Sequence, residues 1–348
     1  MLATQISAVA AREPVALPLE TVPAWKEIIG SAEPFLQRVA GSLAEQTEAF
    51  DSEIAVYARY ALTVQGKQLR PALVALSAGA TGQINDAHVL AAVIIEMVHL
   101  ATLVHDDVMD EAEIRRGKPT LAASWGNEIS VLLGDCLFAH ALKLAASFPT
   151  PEICRAVAAA TNTVCSGEIL QTQRRNNFEL SRAEYFKVLS MKTGELFALS
   201  CDLGAFLTGA APGQRAALRQ YGLALGTAYQ VYDDCMDLFG SEDTAGKSLG
   251  TDLAKGKMTL PMIWILGQAS ASERAGLVAL LQEWEPAFLP RLLDVLQAHG
   301  ALDESRRAVH QYLQAARKTL HTLPESASRA SLSGVIDYLA QQTAGLRC

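Results

Sequence analysis

Residues 94–110 read IIEMVHLATLVHDDVMD, an apolar run that stops abruptly at three aspartates, Asp106, Asp107 and Asp110. No proline interrupts it, so a helix can run its whole length. The apolar stretch begins at Val89 and carries Glu96 and His99. Those polar groups, and the acids at its end, fit a buried core helix better than a membrane span. On a helix, residues i and i+4 share a face, so Asp106 and Asp110 are expected to point the same way. A second stretch repeats the arrangement. LALGTAYQVY (223–232) leads into Asp233, Asp234 and Asp237, and here Asp233 and Asp237 are expected to share a face. The two clusters lie 127 residues apart, a recurrence and not a tandem repeat.

The rest of the chain has the same texture. Prolines are missing from 35–70, 72–118, 152–211, 213–260 and 291–323. Good helix formers fill these stretches, with apolar residues at three- and four-residue steps, as in Ile54, Tyr57, Ala58, Ala61 and Leu62. Alternating strand patterns are scarce. The reading is all-α: one large helical domain over 23–348, preceded by a loose arm at 1–22. Turns are expected near 66–71, 81–85, 149–151, 210–213 and 240–250. The last of these is long and polar, as functional loops often are.

Composition narrows the function. The 348 residues are 50% apolar with a net charge of −8, which argues against a general nucleic-acid binder. The six cysteines show no CxxC pair and no zinc spacing, which suits incidental thiols in a reducing, cytoplasmic setting. No basic segment precedes the apolar stretch 1–11, so neither a secretory signal nor a transmembrane segment is expected. Peripheral contact with a membrane surface stays open.

Like charges at the end of a buried helix are costly unless cations compensate. Carboxylate oxygens suit Mg²⁺, which binds one or two of them and completes its shell with substrate phosphate oxygens. A single DDxxD would be read as a solvated helix end; two, each after an apolar run, favour the metal. Compact cationic groups accompany them: Lys67 and Arg70 in GKQLRP, Arg115 and Arg116 in RRG, Lys192 beside Thr193, Lys247, and Lys257. Each alone would pass for a surface cation. Together with the acids they suggest a pocket for two diphosphates. His99 sits two turns before Asp106, Gln230 three residues before Asp233, and Gln171 ends GEILQ.

In order along the chain stand GKQLRP, HLATLVHDDVMDEAEIRRGKPT, GEILQ, KTGELF, YQVYDDCMD and GTDLAKGKMTLP. This series resembles the trans-isoprenyl diphosphate synthases, or polyprenyl synthetases, from about residue 35 to near the C-terminus. It is most similar to the long-chain members. The resemblance implies a helical bundle around a deep central cavity and a magnesium-dependent condensation of isopentenyl diphosphate with an allylic diphosphate such as farnesyl or geranylgeranyl diphosphate. It implies about three Mg²⁺ ions, with Mn²⁺ as an alternative. Asp106 and Asp110 would bind two of them, with Asp107 in support, and Asp233 the third, with Asp234 and Asp237 nearby. Arg115, Lys192 and Lys257, assisted by Lys247, would hold the allylic diphosphate. Lys67, Arg70, His99 and Arg116 would hold isopentenyl diphosphate. Thr193 and Gln230 would steady the carbocation. Family habit suggests a homodimer. Two positions depart from the family's pattern: Gly194 stands where Ala is usual, and Tyr229 where Phe is usual.

The growing tail is expected to run back along the first motif's helix, at about 5.4 Å per turn. Its wall would be Ala101 and Thr102, then Val98; the alternative is a floor set by a facing helix, through Phe138 and Leu142. No aromatic residue occurs between 61 and 124, and the position five before the first Asp, aromatic in many short-chain members, is Ala101. This geometry and the resemblance together imply a product of about C30–C50. A C15–C20 synthase, a non-catalytic partner subunit and a terpene cyclase are the competing readings. The last would need neither the second acidic cluster nor the GKQLRP and RRG groups.

Overall fold

The computed structural model describes residues 24–62, 66–241 and 249–347. The arm expected over 1–22 and Lys247 lie outside the described residues.

The first motif's helix, with its cap and its neighbours, organises the architecture. After α1 (Glu33–Glu45), α2 (Ala55–Leu62) and α3 (Leu69–Thr81), the chain turns over residues 82–85 and enters α4 (Asp86–Met109). Asn85 starts α4. Its side chain accepts the Ala87 amide at 3.1 Å, and its own amide donates to His88 Nδ1 at 3.1 Å. The opposite His88 nitrogen reaches the Gly204 carbonyl at 3.2 Å, tying the start of α4 to a later helix. Thirteen of its residues are buried, including Ala91, Ile94, Val98 and Ala101. Its most apolar 18-residue window is 67% buried inside the body, as suits a core helix.

A two-stranded ribbon follows, β1 (Ile114–Arg115) and β2 (Lys118–Pro119), the one departure from all-helical structure among the described residues. Its turn residues, Arg116 and Gly117, have φ of 51° and 73°. A two-residue hairpin loop of the type I′ form needs left-handed backbone at both positions. Glycine adopts it freely, whereas Arg116 holds it at a cost.

Helices α5 (Asn127–Ala146), α6 (Pro151–Gln173) and α7 (Arg182–Leu189) come next. A π-helical turn, Ser190–Gly194, links α7 to α8 (Glu195–Phe206). Then comes α9 (Pro212–Phe239), which carries the second acidic cluster. Helix α8 packs against α3 and α9, and α4 packs against α5. The approach of α8 to α9 is close: a Cβ on Gly222 would come within 2.4 Å of the Phe197 carbonyl oxygen. After a single turn at Thr251–Ala254, helices α10 (Leu260–Gln268), α11 (Ala271–Gln282), α12 (Leu289–Ala298), α13 (Ala301–Thr319) and α14 (Ala327–Gly345) complete the body. Helix α13 lies along α9 and gives the second motif's helix its backing. The buried apolar residues form one cluster running from Ile28 to Leu346.

Helix α5 is the less expected element. It too is long and apolar enough to cross a membrane, yet only 39% of its window is buried, and Val131 and Leu132 are exposed on it. Five cysteines, Cys136, Cys154, Cys165, Cys201 and Cys235, are free thiols. Two of them, Cys136 and Cys165, are exposed.

Candidate active site

Both acidic clusters open onto one cavity of about 860 Å³. Asp106 enters from α4 and Asp110 from its C-terminal cap, and Asp233 and Asp234 enter from α9. The expected cations line the same space: Lys67, Arg70, Arg115, Arg116, Lys192 and Lys257, together with His99, Gln171, Thr193 and Gln230. Apolar residues complete the wall, among them Leu103, Phe138, Val164, Ile169 and Phe197.

On the Asp106 side, the π-helical turn presents Lys192. A π turn inserts one extra residue per turn and is frequent at functional sites. Gly167 of α6 lets that turn come close, since a Cβ there would lie 2.9 Å from the Lys192 amide nitrogen. Lys192 Nζ pairs with Glu168, donates to Gln171 Oε1 at 3.0 Å, and stands 3.6 Å from Asp106 Oδ2. Burial raises the Asp106 pKa; Lys192 opposes this and Glu168 adds to it. Asp110 is drawn the other way. Burial alone would lift its pKa, but Lys257, Lys255 and Lys192 hold it below the ordinary carboxylate value. Lys257 Nζ lies 2.9 Å, Arg175 3.0 Å and Lys255 3.4 Å from the Asp110 carboxylate.

On the second side, Asp234 is buried and accepts Tyr185 Oη at 2.6 Å and Gln230 Nε2 at 2.9 Å. Burial, with Asp252 adding, pushes its pKa up to about 8. Gln230 Oε1 in turn accepts the Thr193 hydroxyl at 2.7 Å. These bonds set the amide's orientation: nitrogen toward the carboxylate, oxygen toward Thr193.

The Lys67 and Arg70 end is cationic. The Arg70 guanidinium stacks 5.0 Å from the Phe197 ring centroid, and its Nε is buried without a hydrogen-bond partner. Gly66 leaves room for Arg116, whose guanidinium would meet a Cβ there at 2.5 Å. Burial, then Arg70, Arg116 and Arg115, holds the His99 pKa well below the ordinary value, so His99 is neutral.

Several expected positions differ. Asp107 is buried and off the cavity lining; Arg115 Nε and one Nη both reach its Oδ1 at 2.7 Å. One residue along a helix turns about 100°, so Asp107 braces Arg115 instead of facing Asp106's space. Asp237 does not share the cavity with Asp233 either. Its carboxylate accepts the Thr251 hydroxyl at 2.6 Å and the Asp252 amide at 3.0 Å, fastening the segment that follows the polar loop. Of the expected tunnel wall, Thr102 and Phe138 line the cavity, whereas Ala101, Val98 and Leu142 do not. Ala101 and Val98 are core residues, because the cavity face of α4 runs through Glu96, His99, Thr102, Leu103 and Asp106.

Residues outside the sequence reading also enter the site. Glu168 shares a helix face with Gln171 three residues on, a hint already present in GEILQ. Glu96 lines the cavity one turn from His99, and its carboxyl pKa is raised by burial against the pull of Arg70 and Arg116. Tyr185 and Arg175 carried no local signal, since long-range packing brings them in, whereas Asp252 and Lys255 stand inside GTDLAKGKMTLP without having been singled out there.

The comparisons agree with this geometry. A family model described as Polyprenyl synthetase matches residues 51–287. The octaprenyl diphosphate synthase of Escherichia coli is 31% identical over 310 residues, covering 88% of this chain and 96% of that protein. The short chain isoprenyl diphosphate synthase of Methanothermobacter thermautotrophicus is 32% identical over 286 residues, covering 81% and 88%. The crystal structure of a decaprenyl diphosphate synthase from Rhodobacter capsulatus superposes with a TM-score of 0.86 at 30% identity, covering 92% of this chain and 99% of that one. Cavity, motifs and relatives lead to one assignment: the chain belongs to the polyprenyl synthetase family and is a prenyltransferase.

Proposed function

We propose that the protein condenses isopentenyl diphosphate with an allylic diphosphate, head to tail, to an all-trans polyprenyl diphosphate of about C30–C50, the length set by tunnel geometry. The observation that carries this reading is the single cavity shared by both acidic clusters, the cations and an apolar wall.

A divalent, oxygen-preferring ion suits the residues present. The donors are carboxylate oxygens, and burial beside Glu168 and Asp110 leaves Asp106 short of positive charge. Among the described residues no three His, Cys, Asp or Glu side chains close around one point. Asp106, Asp110 and Asp233 would thus each give Mg²⁺ part of its shell and leave the rest to diphosphate oxygens. Bound there, Mg²⁺ would supply neutralisation of the leaving diphosphate.

The chain's own groups do the remainder. Lys192, Lys257 and Arg115 grip the allylic diphosphate, and Arg115 is held in place by Asp107. Lys67, Arg70 and Arg116 grip isopentenyl diphosphate, with neutral His99 as a hydrogen-bonding partner. Thr193 and Gln230 direct oxygen dipoles at the carbon where positive charge develops. The isopentenyl double bond attacks that carbon, and a proton leaves to restore a double bond, taken up by the released diphosphate. Leu103, Phe138 and Phe197 keep water from the cation.

The long product is favoured by the absence of an aromatic side chain from the α4 wall and by the octaprenyl and decaprenyl relatives. The short-chain relative marks the alternative. The same reading makes the protein a cytoplasmic homodimer, with exposed Leu132 on α5 available to a second copy. Incubation with isopentenyl diphosphate, farnesyl diphosphate and Mg²⁺, followed by sizing of the dephosphorylated products, tests it. C30–C50 alcohols support the condensation and the length. C15–C20 products overturn the length, and farnesol alone overturns the condensation.

A further inference from the structure

Asp110 is surrounded by more positive charge than one carboxylate can match. Lys257, Arg175 and Lys255 all reach it, at 2.9, 3.0 and 3.4 Å. Asp252 is the other acid at hand, 3.9 Å from Lys257. Three cations on one acid would oppose the binding of a further cation there, unless they had somewhere else to go. Two of them, Arg175 and Lys255, have no role in the reading above.

These cations come from two segments locked together. Arg175 sits just beyond the end of α6, and Lys255 and Lys257 flank Gly256 after the Thr251–Ala254 turn. The Asn176 amide donates to the Gly256 carbonyl at 2.8 Å. Asn176 has a φ of 58° and Gly256 of 67°. A Cβ on Gly256 would fall 2.3 Å from Asn176 Oδ1, so only glycine allows this approach. Behind Arg175, its own Nε and Arg174 Nη1 are buried without hydrogen-bond partners, and Arg174 lines the cavity. The mouth of the site is therefore a fixed basic rim with spare donors.

Resting on the proposed reaction, we infer that Arg175 and Lys255 are additional ligands of the allylic diphosphate, and that Asp110 holds their place while the site is empty. On binding, the two side chains swing from the Asp110 carboxylate to the outer phosphate oxygens. Asp110 is thereby released to the ion that the same phosphate brings. Charge-assisted contacts of this kind are short and strong, and an arginine fork matches phosphate oxygens well.

The experiment is calorimetric titration of inorganic pyrophosphate with Mg²⁺ into wild type, Arg175→Gln, Lys255→Gln and the double variant, with Lys192→Ala as reference. Circular dichroism reports folding, and Lys255, on a separate stretch of chain, keeps the test open should Arg175→Gln misfold. Each single variant is expected to weaken pyrophosphate binding about tenfold. In steady-state assays KM for the allylic substrate rises by a similar factor, and KM for isopentenyl diphosphate stays within about twofold. Unchanged or tighter pyrophosphate binding in both single variants, with Lys192→Ala weakened, overturns the inference: the rim then serves only to neutralise Asp110. If Lys192→Ala also binds normally, the diphosphate reading itself fails.

Discussion

The Thr193 hydroxyl donates to Gln230 Oε1 at 2.7 Å, joining the π-helical turn to the second acidic helix through one hydrogen bond. Asp234 takes the other end of the amide and is itself held by Tyr185. The amide carbonyl is thus fixed before substrate arrives, as electrostatic stabilisation of a cation requires. Gln230→Leu should lower kcat about 10- to 100-fold with little change in either KM. Steady-state kinetics with both substrates checks this. A KM effect with unchanged kcat would move Gln230 into ground-state binding.

Asp106→Ala should abolish turnover without harming the fold. The carboxylate is buried beside Glu168 and Asp110, and its removal relieves like-charge crowding. Lys192 retains Glu168 and Gln171 as partners. A fall in turnover of about a thousandfold or more is expected, with a metal-free melting temperature equal to or above wild type. Turnover near wild type would remove Asp106 from the ion site.

Chain length should respond at Thr102 and Phe138, the two expected wall residues that reach the cavity. Thr102→Phe is predicted to shorten the product, and Phe138→Ala to lengthen it. Ala101 is fully buried in the core, so Ala101→Phe should cost about 1–3 kcal/mol of stability through overpacking. Product sizing and chemical denaturation distinguish the two effects. A well-folded Ala101→Phe enzyme with a sharply shortened product would return that residue to the tunnel.

Acid should weaken the fold at histidines that are buried neutral. His88 packs fully buried between Asn85 and Gly204, and burial lowers its pKa despite those hydrogen bonds. A depressed histidine pKa means that the unfolded chain binds the proton more readily. Its contribution to stability is therefore present above about pH 6.5 and lost as pH falls below that value. His88→Gln should be less stable than wild type at pH 7.5 and should show a shallower loss between pH 6.5 and 5. Denaturant midpoints across that range are the measurement, and an unchanged slope would contradict the assignment.

The helices of this fold were legible because their signals are local. The apolar run into DDVMD, the long proline-free stretches and the glycine- or proline-marked turns each lie within a few residues. The convergence of both motifs on one space was readable from their matching apolar settings. Face assignments within each motif were less so. The i, i+4 rule puts Asp237 with Asp233, but Thr251 and the Asp252 amide claim the Asp237 carboxylate, a contact made across a chain reversal. Helix α4 ends at Met109, so Asp110 occupies a cap with φ −98° and ψ 2° and reaches Arg175, Lys255 and Lys257 from there. The π turn at Ser190–Gly194 shifts the register that a regular helix would give Lys192 and Thr193. The Asn176–Gly256 lock depends on two residues 80 apart in sequence, beyond any periodicity.

A crystal soaked with Mn²⁺ and inorganic pyrophosphate, followed by an anomalous difference map, tests the shared-site claim most directly. Manganese peaks are expected against Asp106, Asp110 and Asp233, joined by one pyrophosphate within reach of Lys192 and Lys257. Ions lying on the outer faces of α4 and α9, with the pyrophosphate bound elsewhere, would contradict it.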